Sequence, residues 1–393
     1  MKGETLHISN FGPIESAKIA PIKPVTVFIG ESGSGKSTVM KVLAMCRWLF
    51  KMHCIRSYLK LSGIKCSPFR LSGDRILNTN GLSAFVRADS AVEYHNGSFS
   101  CMLKGRSLSM TKDILPADEL SLEKIAYVSD KRGLLPDLIT GRIAIKHGMF
   151  HLDDTLGNFQ KALDAVSATD MPYLGVRAEV RKTNAGRRVF ISQSGEEGFE
   201  GLPLSQASSG LQSSVGIHFI LQYFARHYNV VESMNSTILS YLAKTDNLSG
   251  FKPTSDVGAF GRRRITLFIE EPELSLFPSN QKGFVDYMLS TVHSACRTSI
   301  ALVMATHSPY VLTTLNLMLA AAKARGVNPE MAADAAPGIP EVAQDDIGAW
   351  EIRDGRATAL IDAETGLIDG TWLDNVSDYF DDTIFKLNSI IYG

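Results

Sequence analysis

The chain reads as an α/β protein, a central sheet with helices on it, and three observations carry that reading. An apolar run, Val25-Thr26-Val27-Phe28-Ile29, leads through a glycine-rich turn into Val39–Met45, which continues with helical spacing. Two more short, largely apolar runs, Ile265–Ile269 and Ser299–Ala305, suit strands covered on both faces. Strand-like and helix-like patterns alternate along the chain rather than segregate, as layered α/β architectures require.

The glycine-rich turn is the most informative segment. Residues 30–38 read Gly30-Glu31-Ser32-Gly33-Ser34-Gly35-Lys36-Ser37-Thr38, the phosphate-cradling pattern G-x-x-x-x-G-K-[ST]. A strand, a glycine turn and a helix start aim successive backbone N–H groups at one point, where the helix dipole also favours an anion. Gly30, Ser32, Gly33, Ser34, Gly35 and Thr38 are therefore assigned to nucleotide contact. Lys36 is placed to reach the β- and γ-phosphates, and the Ser37 hydroxyl to ligate Mg²⁺.

The other elements follow from turn and cap signals. Two strands precede the cradle around Gly12-Pro13, and the helix after it runs from Lys36 to about Leu61, stopped by Gly63. Residues 64–90 are irregular. Asn96-Gly97 suits a type I′ turn between Ala91–Tyr94 and Ser98–Leu103, and a second hairpin joins 175–180 to 188–192. Lys124–Arg132 is an apolar strand ending in polar residues, 153–168 is helical in period, and Leu211–Tyr228 is strongly so. Residues 229–262 are low in pattern and read as an insertion or flexible loop. Beyond His307 the expectation is a helix over 311–325, a Pro/Ala-rich loop over 328–345, a hairpin from Ala349 to Ile361 and an acidic tail helix.

Composition narrows the function classes. With 393 residues, 45% hydrophobic and 21% charged, the chain can bury one large core or two smaller ones. A net charge of −1 offers no global attraction for nucleic acid. Two local basic clusters, Arg177, Arg181 and Lys182 with Arg187-Arg188, and Arg262-Arg263-Arg264, read as solvated surface before they read as phosphate contacts. Five scattered cysteines, 46, 54, 66, 101 and 296, form no C-x-x-C pair and predict reduced thiols rather than disulfides or a zinc site. Without a charged-then-apolar leader or a run near the ~18 apolar residues of a membrane span, a soluble cytoplasmic protein with no membrane partner is expected.

Three further segments carry chemistry. Ile265-Thr-Leu-Phe-Ile-Glu270-Glu271-Pro272-Glu273 is an apolar strand ending in carboxylates. Glu270 is assigned to Mg²⁺, since hard cations take oxygen ligands, and Glu271 to the attacking water. Glu273 reads as a surface acid. His307, in Ala305-Thr-His-Ser-Pro309 after the next strand, is placed to hydrogen-bond a γ-phosphate and sense its loss. Ser208-Ser209-Gly210, at the start of the 211–228 helix, forms either a second anion site or an ordinary serine cap.

In order, these segments resemble the Walker A, signature, Walker B and switch-histidine motifs of ABC-type ATPases. The similarity is strongest to the RecF/SMC/OLD branch and its compact bacterial relatives from anti-phage defence. It rests on Leu6–Ile14, Glu270–Glu273, Thr306–Tyr310 and Ala126–Arg132, and covers residues 40–120 and 229–262 only in general arrangement. The resemblance implies a single ATPase head built on a mixed sheet flanked by helices. Residues 1–62 and 263–393 would form its core, and 63–262 an antiparallel β and helical insertion carrying the signature. It also implies ATP and Mg²⁺ as cofactors, with Lys36, Glu271 and His307 catalytic. Two copies would close around two ATPs, with Ser209 and Gly210 of one contacting the γ-phosphate held by the other. Departures are Ser32 where Asn is frequent, Ser-Ser-Gly-Leu-Gln in the signature, and Glu270 where Asp is usual. No Q-loop glutamine can be placed; Asp130 and Arg132 occupy its neighbourhood.

OLD nucleases add a Toprim domain with an Asp-x-Asp motif. Here Asp345-Asp346 and Asp381-Asp382 are adjacent pairs, so no nuclease is expected in this chain. The implied role is an ATPase, dimeric or of higher order, that controls a separately encoded nuclease or toxin. A DNA-repair clamp of the RecF kind, with nucleic acid as partner, is the alternative. A transporter subunit comes third.

Overall fold

Strands that are apolar on both faces need helices on both sides, and the architecture of the computed structural model is built around five such strands. It describes residues 3–64, 71–144, 150–184, 186–193, 195, 201–244, 262–295, 298–340, 342–370, 383–387 and 390. The chain opens with β1 (Thr5–Phe11), β2 (Ile14–Ile19), β3 (Val25–Ile29) and the long α1 (Lys36–Leu61). Next come α2 (Gly73–Thr79), β4 (Val86–Asn96), β5 (Phe99–Lys104), β6 (Ser107–Met110) and β7 (Ser121–Val128). Short α3 (Leu135–Ile139) and α4 (Phe150–Ala165) precede β8 (Ala168–Met171), β9 (Val176–Thr183), β10 (Gly186–Gln193) and β11 (Leu202–Pro203). Then follow α5 (Ser209–Gln222), α6 (Val230–Lys244), β12 (Arg262–Glu270), α7 (Pro278–His293) and β13 (Ser299–Thr306). The described part ends with α8 (Pro309–Val327), α9 (Pro329–Ala335), β14 (Ile347–Arg353) and β15 (Arg356–Ala359) before the isolated helical residues 383–387.

One eleven-stranded sheet takes the order β6-β5-β4-β1-β2-β15-β14-β3-β13-β12-β7. Its half from β14 to β7 is parallel, and the β6-to-β2 wing is antiparallel. The sheet is thus mixed. β7, from inside the 63–262 stretch, closes the parallel half by pairing with β12. Alternate residues of these strands enter two separate cores. Phe28, Phe268 and Val303 pack on α1, whereas Val27, Ile29, Leu267 and Met304 pack on the face that holds α4, α5, α7 and α8. β8 to β11 form a small second sheet in the order β11-β10-β9-β8.

Several expectations change. Inside the supposedly irregular 64–90 lies α2, whose N-cap Ser72 accepts from the Arg75 amide. The low-pattern stretch 229–262 begins with α6, which buries Val230, Met234, Ile238 and Leu242, one per turn. Residues 245–261 lie outside the described residues. The Pro/Ala-rich loop contains α9, capped by Asn328 with Pro329 at its first position. The helix expected over 211–228 ends at Gln222 and continues as a π turn over Tyr223–His227. Of the acidic tail, 371–382 lie outside the described residues.

A buried ionic cluster ties the two halves of the sheet to α1. Glu4 accepts from Arg47 through both oxygens, at 2.6 and 2.9 Å, and from the Tyr94 hydroxyl at 2.7 Å. Arg264 of β12 stands 3.5 Å away. Burial alone would raise the Glu4 pKa, but Arg47 and Arg264 overcome it and hold the carboxyl at about 2. Because the folded value lies below the unfolded one, this stabilisation is complete above ~pH 4.3 and is lost as pH falls towards 2. Glu4→Gln should therefore cost about 3–5 kcal/mol at pH 7, since it leaves Arg47 buried without a counter-charge. In chemical denaturation the gap to the parent should shrink between pH ~4.3 and ~2.

Candidate functional site

Register brings four strand ends together at the C-terminal edge of the parallel half. Ile29 lies beside Thr306, Ala305 beside Glu270, and Ile269 beside Val128. Ligand sites in open α/β sheets form at this edge. The cradle leaves β3 here and is wedged on both flanks. A Cβ at Gly30 would stand 2.2 Å from the Ile352 carbonyl oxygen, and one at Gly35, with φ +110°, 2.6 Å from Ile14. Ser32 and Gly33 are exposed at the crest, and Thr38 is buried in the first turn of α1. The Ser34 hydroxyl is buried with no hydrogen-bond partner among the described residues, which suits a group that meets its partner in a ligand.

Lys36 curls back over the cradle, donating to the carbonyls of Gly30 and Glu31 at 2.8 Å each. Its Nζ also lies 3.3 Å from His307 Nδ1. The other ring nitrogen, Nε2, lies 3.4 Å from a Glu271 carboxylate oxygen. Lys36, His307 and Glu271, from three distant segments, thus form one contiguous chain of polar contacts. Burial pulls the Lys36 pKa down to about 8, against the opposing pull of Glu271 and Glu273. An anionic ligand at the cradle would restore the full charge.

Glu270 is buried at the end of β12. One carboxylate oxygen faces the Asp130 amide at 3.4 Å and the other faces Lys41 at 3.9 Å. Lys41 lies one turn beyond Ser37 on α1, so Glu270 faces the stripe of that helix that carries the Ser37 hydroxyl. A hydroxyl and a carboxylate are the hard-oxygen donors Mg²⁺ takes, so the residues fit the ion. Among the described residues no cluster of three or more His, Cys, Asp or Glu offers a larger metal site.

The backbone that carries both carboxylates is set by Arg132, which had no assigned role in the sequence. Its buried guanidinium donates to the carbonyls of Glu270 (2.6 Å), Ser129 (3.3 Å), Ser213 of α5 (3.1 Å) and Glu271. Burial pulls its pKa down to about 10 while four surrounding carboxylates, led by Glu273, oppose this, so it stays charged at neutral pH. Glu271 itself has φ +44°, a left-handed conformation costly for a residue with a side chain, and its amide donates to Ala305 at 2.8 Å. Such strain concentrates at functional sites. The polar end of the β7 segment was legible; which of Lys131 and Arg132 turns inward was not.

Glu273 is not a surface acid. It is half-buried, and one oxygen accepts from the Thr306 hydroxyl at 2.7 Å and the His307 amide at 2.8 Å. It positions the histidine. Ser209 is exposed at the start of α5, whereas Gly210 is buried, and a Cβ there would stand 2.7 Å from the Ser275 carbonyl oxygen. Ser213 donates to Leu274 at 2.7 Å, which fixes α5 to the turn after the carboxylates. Any side chain at position 210 therefore disturbs packing within the chain, while position 209 is open to a neighbour.

The basic clusters are largely matched locally. Arg177 pairs with Asp170 and Glu179, Arg187 with Asp164, and Arg264 with Glu4 and Glu123. Cys46, Cys54 and Cys101 are buried and free; Cys66 and Cys296 lie outside the described residues. Asp345 pairs with Lys23 at 3.9 Å, and Asp381-Asp382 lie outside the described residues. No described helix is long and apolar enough to cross a membrane.

A sequence family described as an AAA domain matches residues 5–53, the segment from β1 to α1 that contains the cradle. No curated protein matches the chain. Among solved structures, the SMC head bound to the C-terminal winged-helix domain of ScpA is 13% identical with a TM-score of 0.38, covering 90% of this chain and 96% of that one. The recombination mediator RecF is 11% identical with a TM-score of 0.33, covering 91% and 97%. An ATP-binding cassette dimer bound to ADP and phosphate is 11% identical with a TM-score of 0.32, covering 90% and 96%. Likenesses at this level decide nothing about activity; the site's own geometry has to.

Arg132→Lys tests that geometry. An ammonium cannot reach four carbonyls at once, so the variant should lose about 3 kcal/mol or more in chemical denaturation. Backbone amides of 270–276 should exchange hydrogen faster than in the parent. Unchanged exchange there would mean the turn holds itself.

Proposed function

We propose that the chain is an ABC-type ATPase that binds MgATP on residues 30–38, hydrolyses it with Glu271 and closes with a second copy around the nucleotide. The contiguous chain Lys36–His307–Glu271 carries this reading, because it joins a phosphate-binding cation, a ligand sensor and a base within contact distance. Lys36 exchanges its carbonyl partners for the β- and γ-phosphates. The buried Ser34 hydroxyl and the cradle amides take further phosphate oxygens. Mg²⁺, held by Ser37 and Glu270, would neutralise phosphate charge. Glu271 orients and deprotonates the attacking water, and His307, fixed through its amide by Glu273, hydrogen-bonds the γ-phosphate and registers its departure.

Ser209 is the group this reading presents to the partner's nucleotide, since it is exposed and α5 is tied to the carboxylate turn through Ser213. Hydrolysis at one cradle then changes what the opposite α5 contacts, so assembly follows the nucleotide state. We assign the chain the role of an ATP-driven switch that controls a separately encoded effector, a nuclease or toxin of anti-phage defence. The local pairing of Arg177, Arg187 and Arg264 weighs against the alternative of a DNA clamp.

The test uses a hydrolysis-arrested background. Glu271→Gln keeps size and hydrogen bonding but cannot act as a base, so with MgATP it should accumulate a dimer by light scattering. Adding Ser209→Glu should abolish that dimer without changing ATP affinity. A carboxylate ~4 Å from a phosphate charge is repelled by about 4 kcal/mol at an effective dielectric near 20. A dimer that survives Ser209→Glu would reduce the segment to a helix cap. Turnover by Glu271→Gln within a few-fold of the parent would move the base elsewhere.

A further inference from the structure

On the α1 face of the sheet lies a cavity of about 540 Å³ that the nucleotide chemistry does not use. Its size is that of a small-molecule site. Lys51 of α1 and Lys124 of β7 line it together with Arg75 of α2, which is exposed. Trp48, Tyr127 and Phe150 supply aromatic surface. Asp154 is the acid in the lining, and it is already engaged by Lys124 at 3.7 Å and by the Tyr127 amide at 2.8 Å.

Lys51 makes no hydrogen bond or ion pair with the described residues. Burial pulls its pKa down to about 8 and the Lys124 ammonium adds to this, against Glu123 and Asp154. Burial likewise brings His151 down to about 4, so the ring that lies 4.1 Å from Tyr127 is neutral and adds no competing charge. An unmatched cation in such a place is costly, and an apolar residue would serve packing better. The lining therefore offers two cations, Lys51 and Arg75, whose side chains have no hydrogen-bond or ion-pair partner among the described residues, beside an aromatic wall. Phosphate or carboxylate answers the first feature, and a flat ring answers the second.

We propose that this cavity is a second ligand site, distinct from the cradle, for a small aromatic anion of the mononucleotide kind, its phosphate drawn to Lys51 and Arg75 and its ring to the aromatic wall. Its location is suited to communication. Tyr127 lines it, stacks on Phe268 of β12 at 6.0 Å, and has its own hydroxyl pKa raised by burial and by the neighbouring Glu270. Tyr127 also lies five residues before Arg132 in the chain.

Calorimetric titration with AMP, GMP, CMP and UMP, and separately with inorganic phosphate, decides the matter. The titrated proteins are Lys36→Ala, which disables the cradle, and the same protein carrying Lys51→Met or Arg75→Ala. At least one mononucleotide should bind Lys36→Ala at one per chain, at least tenfold more tightly than phosphate. Both Lys51→Met and Arg75→Ala should weaken it at least tenfold, and Lys51→Met should melt no lower than its parent. Should Lys51→Met fail to fold, the exposed Arg75→Ala decides alone. No binding by any of the four mononucleotides, binding equal to that of phosphate, or binding unaltered by the substitutions overturns the proposal.

Discussion

The C-terminal edge of the parallel half depends on one buried guanidinium. Arg132 directs its N–H groups at backbone carbonyls from three separate segments: the end of β7, the end of β12 and the second turn of α5. Only a planar, permanently charged group with several donors can satisfy so many acceptors away from water. The carbonyls of Glu270 and Glu271 both turn towards it, and the left-handed backbone at Glu271 goes with that arrangement. The directions of the two carboxylate side chains follow. Glu270 lies along α1 near Lys41, and Glu271 lies against His307. Four nearby carboxylates in turn keep the guanidinium charged despite its burial. Cation and acids are mutually dependent.

The same arrangement joins the acidic turn to α5. Ser213 gives its carbonyl to Arg132 and its hydroxyl to Leu274, while Gly210 approaches Ser275 too closely for any side chain. The segment 209–213 and the turn 270–276 therefore behave as one packed unit. The backbone at Glu271 is linked to α5, whose first residue is the exposed Ser209, by hydrogen bonds rather than by a long chain of side-chain contacts. Glu273 completes the unit by holding Thr306 and the His307 amide, so His307 and Glu271 share one support.

Local patterns made much of this legible in advance. The cradle is contiguous in sequence, and its strand and helix flank it directly, so Gly30 to Thr38 could be assigned from spacing alone. β12 and β13 declared themselves by short, largely apolar runs, because both faces are covered. The signals for α6 and α9 were present but weak. In α6 the apolar positions 230, 234, 238 and 242 lie among Asn and Ser, and α9 spans only seven residues behind its Asn-Pro cap. What sequence could not show was non-local. That Arg132 turns inward and Lys131 does not, that Glu273 grips a strand two elements away, and that Gly210 is required by Ser275 all depend on parallel pairing of β7 with β12 and β12 with β13. No pattern within any one segment encodes that pairing.

If residues 30–38 and the Arg132-held carboxylates form one nucleotide site, nucleotide and Mg²⁺ must bind there together. Calorimetric titration of MgATP into the purified chain, beside titration of ATP with EDTA, measures that dependence. One ATP per chain is expected, with a loss of affinity of at least tenfold without Mg²⁺, since Ser37 and Glu270 then have no ion to hold. Absence of ATP binding, or an affinity indifferent to Mg²⁺, would rule out a single shared site.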